Sequence, residues 1–222
     1  TGYFSASEIV TVLNYLKVCD NPLQDIPLMG VLRSPIVGCT SQELAELRIQ
    51  YPDGLLYESV SAYAGENEIP EKELDPDKLK SELLNGNLRT DEKNSLNIKL
   101  KGFLSLLEKV RNMAAYTPVH ELILYVLKET GYGDYARALP GGEQRFANLT
   151  MLVEKAMDYE KTSYRGLFNF VRYIEQLQAY QVDYGEVNLT GAGNTAVEIM
   201  TIHKSKGLEF PVVFVAGMGK QF

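Results

Sequence analysis

The sequence has no tryptophan, two cysteines and two histidines. Cys19 and Cys39 are too few for the disulfide framework of a small secreted scaffold, so they read as free thiols of a reducing, cytoplasmic compartment. Two scattered histidines and two scattered cysteines give no zinc-ligand spacing, and no metal site is predicted. No run of 18 uncharged apolar residues occurs, which argues against a membrane-spanning helix. The chain opens Thr1-Gly2-Tyr3-Phe4, without Met and without the basic-then-apolar order of a signal peptide, and reads as a piece of something longer. Basic charge is also short: 22 Lys and Arg stand against 29 Asp and Glu, a net charge of −7. That balance argues against a surface coated for nucleic acid. Residues 66–92 hold nine acids and four bases, so most of the excess sits in one stretch and a local DNA contact elsewhere stays compatible with the total.

What is present is 222 residues with 45% hydrophobic and 10% aromatic content, enough for a packed core. Ser5 to Asp20 has helical spacing at Ile9, Val12, Leu13 and Leu16, with Val18 a further candidate, and Ser5 with Glu8 fits a capping box. Asn21-Pro22 ends that helix. Ile26 to Arg33 reads as a second helix closed by Ser34-Pro35. Thr40 is a candidate N-cap for a third, and Leu55 to Ala64 forms a fourth. The acidic 66–92 stretch reads as a surface loop with a helical segment near Leu79 to Leu84. Long helical patterns follow over Glu92–Ala115, Val119–Thr130, Gly142–Tyr159 and Ser163–Gln181. Gly131-Tyr132-Gly133 and Pro140-Gly141-Gly142 read as turns, and Asp183 to Thr195 as a linker. Val197 to Ile202 then looks strand-like, and Phe210-Pro211-Val212-Val213-Phe214-Val215-Ala216 has the near-continuous apolar character of a strand buried on both faces. The expectation is a mostly α chain ending in a small α/β portion.

The chemistry concentrates at the junction of those two strand patterns. Thr201-Ile202-His203-Lys204-Ser205-Lys206-Gly207-Leu208-Glu209-Phe210 gathers hydroxyls, a His, two Lys and a Gly in one loop. Lys supplies point charges, short hydroxyls donate, and Gly lets backbone approach an anion closely. Loops at the carboxyl ends of parallel strands are where open α/β sheets place ligands. On residue types alone, a solvated connection is at least as good a reading as a phosphate site.

The string T-x-H-x-S-K-G-L-E-F followed by an apolar strand resembles motif V of superfamily I DNA helicases of the UvrD, PcrA, Rep, RecB and AddA type. The resemblance implies that Thr201, His203, Lys204 and Ser205 contact DNA, and that Gly207, Glu209 and Lys206 lie toward the nucleotide, with Glu209 near the ribose. The N-terminal segment, from Gly2-Tyr3-Phe4 through Asn21-Pro22 to Leu32-Arg33-Ser34-Pro35-Ile36-Val37-Gly38, is similar to the helices that follow motif IV in the same helicases. These two regions normally flank a helical insertion called 2B. The implied organisation is therefore residues 1–33 from the second RecA-like domain, 34–192 as a 2B-like insertion, and 193–222 as the motif V strand–loop–strand with two parallel-type strands.

Asp20 to Leu28, Val31 to Gly38, Arg145-Phe146-Ala147-Asn148-Leu149 and Tyr159 to Phe168 look like the AddA (RexA) component of bacterial helicase–nucleases. That resemblance implies an ATP-dependent 3′-5′ DNA helicase and exonuclease of double-strand break repair and recombination. It also implies ATP and Mg²⁺ as cofactors in the full-length protein, single-stranded and duplex DNA as ligands, and an AddB (RexB)-like partner subunit. The chain contains no G-x-x-x-x-G-K-[ST] loop, no Walker B strand, no Arg-containing motif VI and no nuclease domain, so no catalytic residue is assigned and no ATP turnover is expected from it alone. The competing reading is a non-catalytic helical module that binds a partner subunit or duplex DNA.

Two further features have both functional and structural readings. Arg33 to Thr40 lies where related helicases place a DNA-approaching hairpin with a Gly-Ile-Gly element, but only Gly38 is present here, which favours a structural turn. Tyr159, Tyr164, Phe168, Phe170 and Tyr173 interleave with Lys161, Arg165 and Arg172. A base-stacking surface is one reading; a core face at helical spacing is the favoured one.

Overall fold

A computed structural model describes residues 2–66, 92–162, 165–180 and 199–216. The chain divides into two compact units, Thr1–Val187 and Asn188–Phe222. In the first unit the described residues form a short 3₁₀ turn, Tyr3–Ser5, and nine α-helices: α1 (Ser7–Asp20), α2 (Asp25–Arg33), α3 (Ser41–Gln50), α4 (Leu56–Glu66), α5 (Glu92–Met113), α6 (Val119–Glu129), α7 (Tyr132–Ala138), α8 (Gly142–Glu160) and α9 (Leu167–Ala179). The chain is thus mostly α, as its periodicity indicates. The expected helical segment at Leu79–Leu84 and the linker at Asp183–Thr195 lie outside the described residues.

Helix α1 is the hub. It packs against α2, α5, α8 and α9. A helix touched on several sides needs more than one apolar stripe, and Ile9, Val12, Leu13 and Leu16 are joined in the core by Tyr15, Val18 and Cys19. A second layer forms where α6 and α7 lie on α8, buried through Leu122, Ile123 and Val126 on one side and Leu149, Leu152 and Ala156 on the other. Both cysteines are free and buried. Burial pushes the Cys39 thiol up to about 11 and the Cys19 thiol further still, so neither is a ready nucleophile.

The expected cap at Ser5 is not formed. Helix α1 starts at Ser7 with Ala6 in the cap position and no side-chain cap, and the Ser5 hydroxyl donates to the Gly2 carbonyl instead. The reason is that Glu8 is committed elsewhere. The residue is 4% exposed, and its carboxylate accepts from Arg145 Nη1 at 2.9 Å and from Asn148 Nδ2 at 2.8 Å. The same Asn148 offers its carbonyl to the buried Tyr3 hydroxyl at 2.9 Å. A tertiary ion pair has displaced a local cap. The segment Gly131-Tyr132-Gly133, expected as a turn, opens α7, whose Tyr132, Gly133 and Ala136 are buried.

Thr40 does cap α3. Its hydroxyl oxygen accepts from Glu43 N at 3.1 Å, and Glu43 accepts from Thr40 N at 2.6 Å. Glu43 also reaches Lys99 on α5, at 2.7 and 3.0 Å, so one carboxylate closes a cap and ties two helices. Burial pushes this carboxyl up, but the Lys99 ammonium and the Thr40 donors outweigh it and leave it below its ordinary value of 4.5. A depressed folded-state value stabilises the fold above the unfolded value and loses that contribution as pH falls through the folded one. Lys99→Met should therefore cost about 2 kcal/mol at neutral pH. In acid titrations of thermal stability it should also flatten the decline below about pH 4.5.

Candidate functional site

The second unit contributes residues 199–216, and its polar centre is a compact turn. Backbone Ser205 N donates to Thr201 O at 3.1 Å and Leu208 N to Ser205 O at 3.0 Å. Thr201 behaves as a miniature N-cap, its hydroxyl oxygen accepting from Lys204 N at 3.3 Å. These bonds bend 201–208 into one coil of chain. Gly207 leaves that coil at φ 87°, in the left-handed region where a side chain is strained, which explains why glycine stands between Lys206 and Leu208.

The turn brings the sequence-predicted residues together and faces them to solvent. His203, Lys204, Lys206, Gly207 and Glu209 are exposed, as is Thr201; Ser205 is half-buried. Their donors are unequal. The Thr201 oxygen accepts internally, which leaves its hydroxyl proton to give. The Ser205 hydroxyl donates to Ile202 O at 2.9 Å, so in this conformation it offers an anion only lone pairs. The cationic face of the loop is therefore Lys204 and Lys206, with His203 between Thr201 and Lys204. Among the described residues no cluster of His, Cys, Asp and Glu is arranged to hold a metal ion.

The two expected strands are not formed among the described residues. Val197 and Glu198 lie outside them, and Ile199–Ala216 contains turns and bends but no strand ladder. Strands buried on both faces need neighbours to take their backbone bonds and cover their side chains. The described residues supply none, and Phe214 is 91% exposed, with Val212 and Val213 also open to solvent.

The Arg33–Thr40 connection is a turn whose donors are spent internally. Ile36 N gives to the Ser34 hydroxyl, Val37 N and Gly38 N to Ser34 O, Cys39 N to Leu32 O and Thr40 N to Glu43. Arg33 donates to the Ser41 hydroxyl. No backbone N–H from Ile36 to Thr40 is left for a phosphate, which supports the structural reading of this hairpin.

The aromatic cluster splits in two. Tyr159 and Phe170 are buried and meet edge to face at 5.4 Å, with Tyr173 stacked on Tyr159 at 5.1 Å. Phe168 instead points outward beneath the Arg172 guanidinium, and Tyr164 lies outside the described residues. Tyr180, 80% exposed past the end of α9, carries no periodic signal and was not identifiable from sequence.

Comparison with known proteins matches the sequence to a family. The model of the UvrD-like helicase C-terminal domain aligns with residues 1–222. The AddA component of the ATP-dependent helicase/nuclease of Lachnoclostridium phytofermentans is 44% identical over 244 residues, covering all of this chain and 18% of that protein. The proteins of the same name from Thermoanaerobacter pseudethanolicus and Bacillus cereus are 44% and 45% identical over 222 residues, again across the whole chain and 16% of each relative. This chain thus spans less than a fifth of the relatives it matches, and along all of that span it belongs to the family of UvrD-like helicase C-terminal domains.

Proposed function

We propose that this chain is the motif V and 2B-like part of an AddA-type, ATP-dependent 3′-5′ DNA helicase and exonuclease acting in double-strand break repair and recombination. The observation that carries the reading is the exposed turn at 201–209, already folded by its own hydrogen bonds and presenting two lysines and a histidine. Thr201, His203 and Lys204 hold the DNA backbone, with Ser205 shaping the turn. Lys206, Gly207 and Glu209 face the nucleotide. Residues 1–33 and 193–222 belong to the second RecA-like domain, and 34–192 form the insertion. The two apolar segments around the loop become strands when neighbouring strands of that domain pair with them.

The donor set of the loop fits one edge of a nucleotide site. Lys206 suits a phosphate, the Gly207 backbone permits close approach, and Glu209 accepts from a ribose hydroxyl. ATP with Mg²⁺ supplies the phosphoryl chemistry when bound to the full-length protein; the residues here only bind and orient. One short turn that touches both ligands is a natural coupler, because a shift of its nucleotide side moves its DNA side. An AddB-like partner completes the proposed complex.

DNA binding tests this reading. The full chain should bind forked DNA in a salt-dependent way. His203→Ala should weaken that binding several-fold, and Lys204→Ala should lower the slope of log affinity against log salt by about 0.7 to 0.9. Binding that ignores both substitutions, together with tight binding to an AddB-like partner, overturns the motif V reading in favour of an interaction module.

A further inference from the structure

We propose that the outer face of α9 is a binding surface for single-stranded nucleic acid, additional to the 201–209 turn. It rests on the proposed function only in taking DNA as the polymer the protein meets.

Helix α9 is amphipathic in an unusual sense. Leu167, Phe170, Val171 and Ile174 are buried, with Tyr173 and Leu177 packed beside them, and this side docks the helix. The opposite side carries Arg165, Phe168, Asn169, Arg172, Gln176 and Tyr180, all exposed. At 1.5 Å per residue this face runs for about 20 Å. It holds two large aromatic side chains in water, two guanidiniums and two amides, with the Glu175 carboxylate at its edge, 3.8 Å from Arg172. Core packing accounts for Tyr159 and Phe170 of the same aromatic cluster, but not for Phe168 at 54% exposure or Tyr180 at 80%. The Arg172 guanidinium sits 5.5 Å from the centre of the Phe168 ring, an arrangement that stiffens both groups.

The local charge is opposite to that of the chain. Beside the face, at the C-terminal end of α1, Lys17 pairs with Glu175 at 3.2 Å, and Arg172 lies 3.8 Å from the same carboxylate. Asp20 feels both Arg111 on α5 and Arg172. Three cations, Lys17, Arg111 and Arg172, thus stand against two acids, Asp20 and Glu175, beside a face that also carries the exposed Arg165, on a protein of net charge −7. An acidic peptide would need only the cations. The exposed rings and side-chain amides add what bases ask for, flat π-faces and edge donors, and only unpaired bases have faces free to stack. Arg with interleaved aromatics is the combination that tracks a single strand without reading its sequence.

Fluorescence anisotropy of the full chain with a labelled oligothymidine strand, and with a blunt duplex of the same length, decides the matter. The expected result is preference for the single strand. Phe168→Leu should then weaken binding by about tenfold while Phe168→Tyr retains it. The pair Arg165→Gln and Arg172→Gln should lower the salt slope by about 1.4. All three positions are on the surface, so unchanged thermal melts verify folding. Absence of strand binding by the parent chain, or indifference to Phe168→Leu, overturns the proposal. So does competition by polyglutamate that depends on the arginines alone, which would assign the face to an acidic protein segment. Loss on His203→Ala with indifference to Phe168→Leu leaves only the motif V site standing; the reverse pattern leaves only this one.

Discussion

Gly142→Ala should destabilise the helical unit by about 3 kcal/mol or more, among the largest effects of any single methyl addition to this chain. A Cβ built at Gly142 would lie 1.8 Å from the Arg137 carbonyl oxygen and 2.5 Å from its carbon. Both are backbone atoms, so no rotamer change relieves the clash. Either the end of α7 moves or α8 starts later, and α8 carries Leu149, Leu152 and Ala156 into the core beneath α6 and α7. Gly102→Ala is the control. That glycine lies mid-helix in α5 with nothing within 4 Å of the added carbon, and the change should stabilise by about 0.5 to 1 kcal/mol through helix propensity. Urea unfolding of the two variants should move the midpoint in opposite directions. Equal and small shifts would mean that the α7–α8 corner is soft.

This corner illustrates what the sequence makes legible. Pro140-Gly141-Gly142 reads as a break from composition alone, and the break is there. What composition leaves open is which glycine is needed for conformation and which for room, because that depends on the Arg137 carbonyl across the corner. Most helices of the first unit follow from 3.6-residue spacing, α7 excepted because Gly131-Tyr132-Gly133 reads as a turn, and the Thr40 cap, which Glu43 three residues on completes as a box, was readable as a hydroxyl just before a helical pattern. The Ser5–Glu8 pair shows the same spacing and fails as a box, since Glu8 is claimed by residues about 140 positions away. Periodicity also treats Phe168 and Phe170 alike; two residues apart on a helix, they face away from each other and meet opposite fates. At the 201–209 loop the residue types were legible, but the internal engagement of the Ser205 hydroxyl required geometry. The apolar run after Phe210 has strand character that the described residues leave unpaired, because a ladder needs partners that a one-dimensional pattern does not name.

Arg145→Met should cost about 3 kcal/mol, which for a chain of this length is roughly 6 to 12 °C in Tm. The Glu8 side chain is 5% exposed, and its charge is balanced by Arg145, itself 32% exposed, at 2.9 Å. Arg145 also donates to the Ser7 hydroxyl at 2.8 Å and to Pro140 O at 3.2 Å, so one guanidinium holds the start of α1 against the start of α8. Removing it strands a buried carboxylate with only Asn148 and Ser7 as donors. The pair can be separated from the packing by a double-mutant cycle: Glu8→Gln restores a neutral partner, so Glu8→Gln with Arg145→Met should lose less than the sum of the two single changes by about 1 kcal/mol or more. Strict additivity would show that the ion pair contributes nothing beyond its carbon atoms. The consequence reaches the proposed function, because Glu8 lies in the segment assigned to the RecA-like domain and Arg145 in the segment assigned to the insertion. In the proposed organisation this charge pair ties α1 to α8 across the boundary between those segments, so a rotation of the proposed insertion should hinge outside this contact. Arg145→Met should accordingly raise the mobility between the two segments, read as increased amide exchange along α1 and the N-terminal half of α8, while exchange in α3 and α4 stays unchanged.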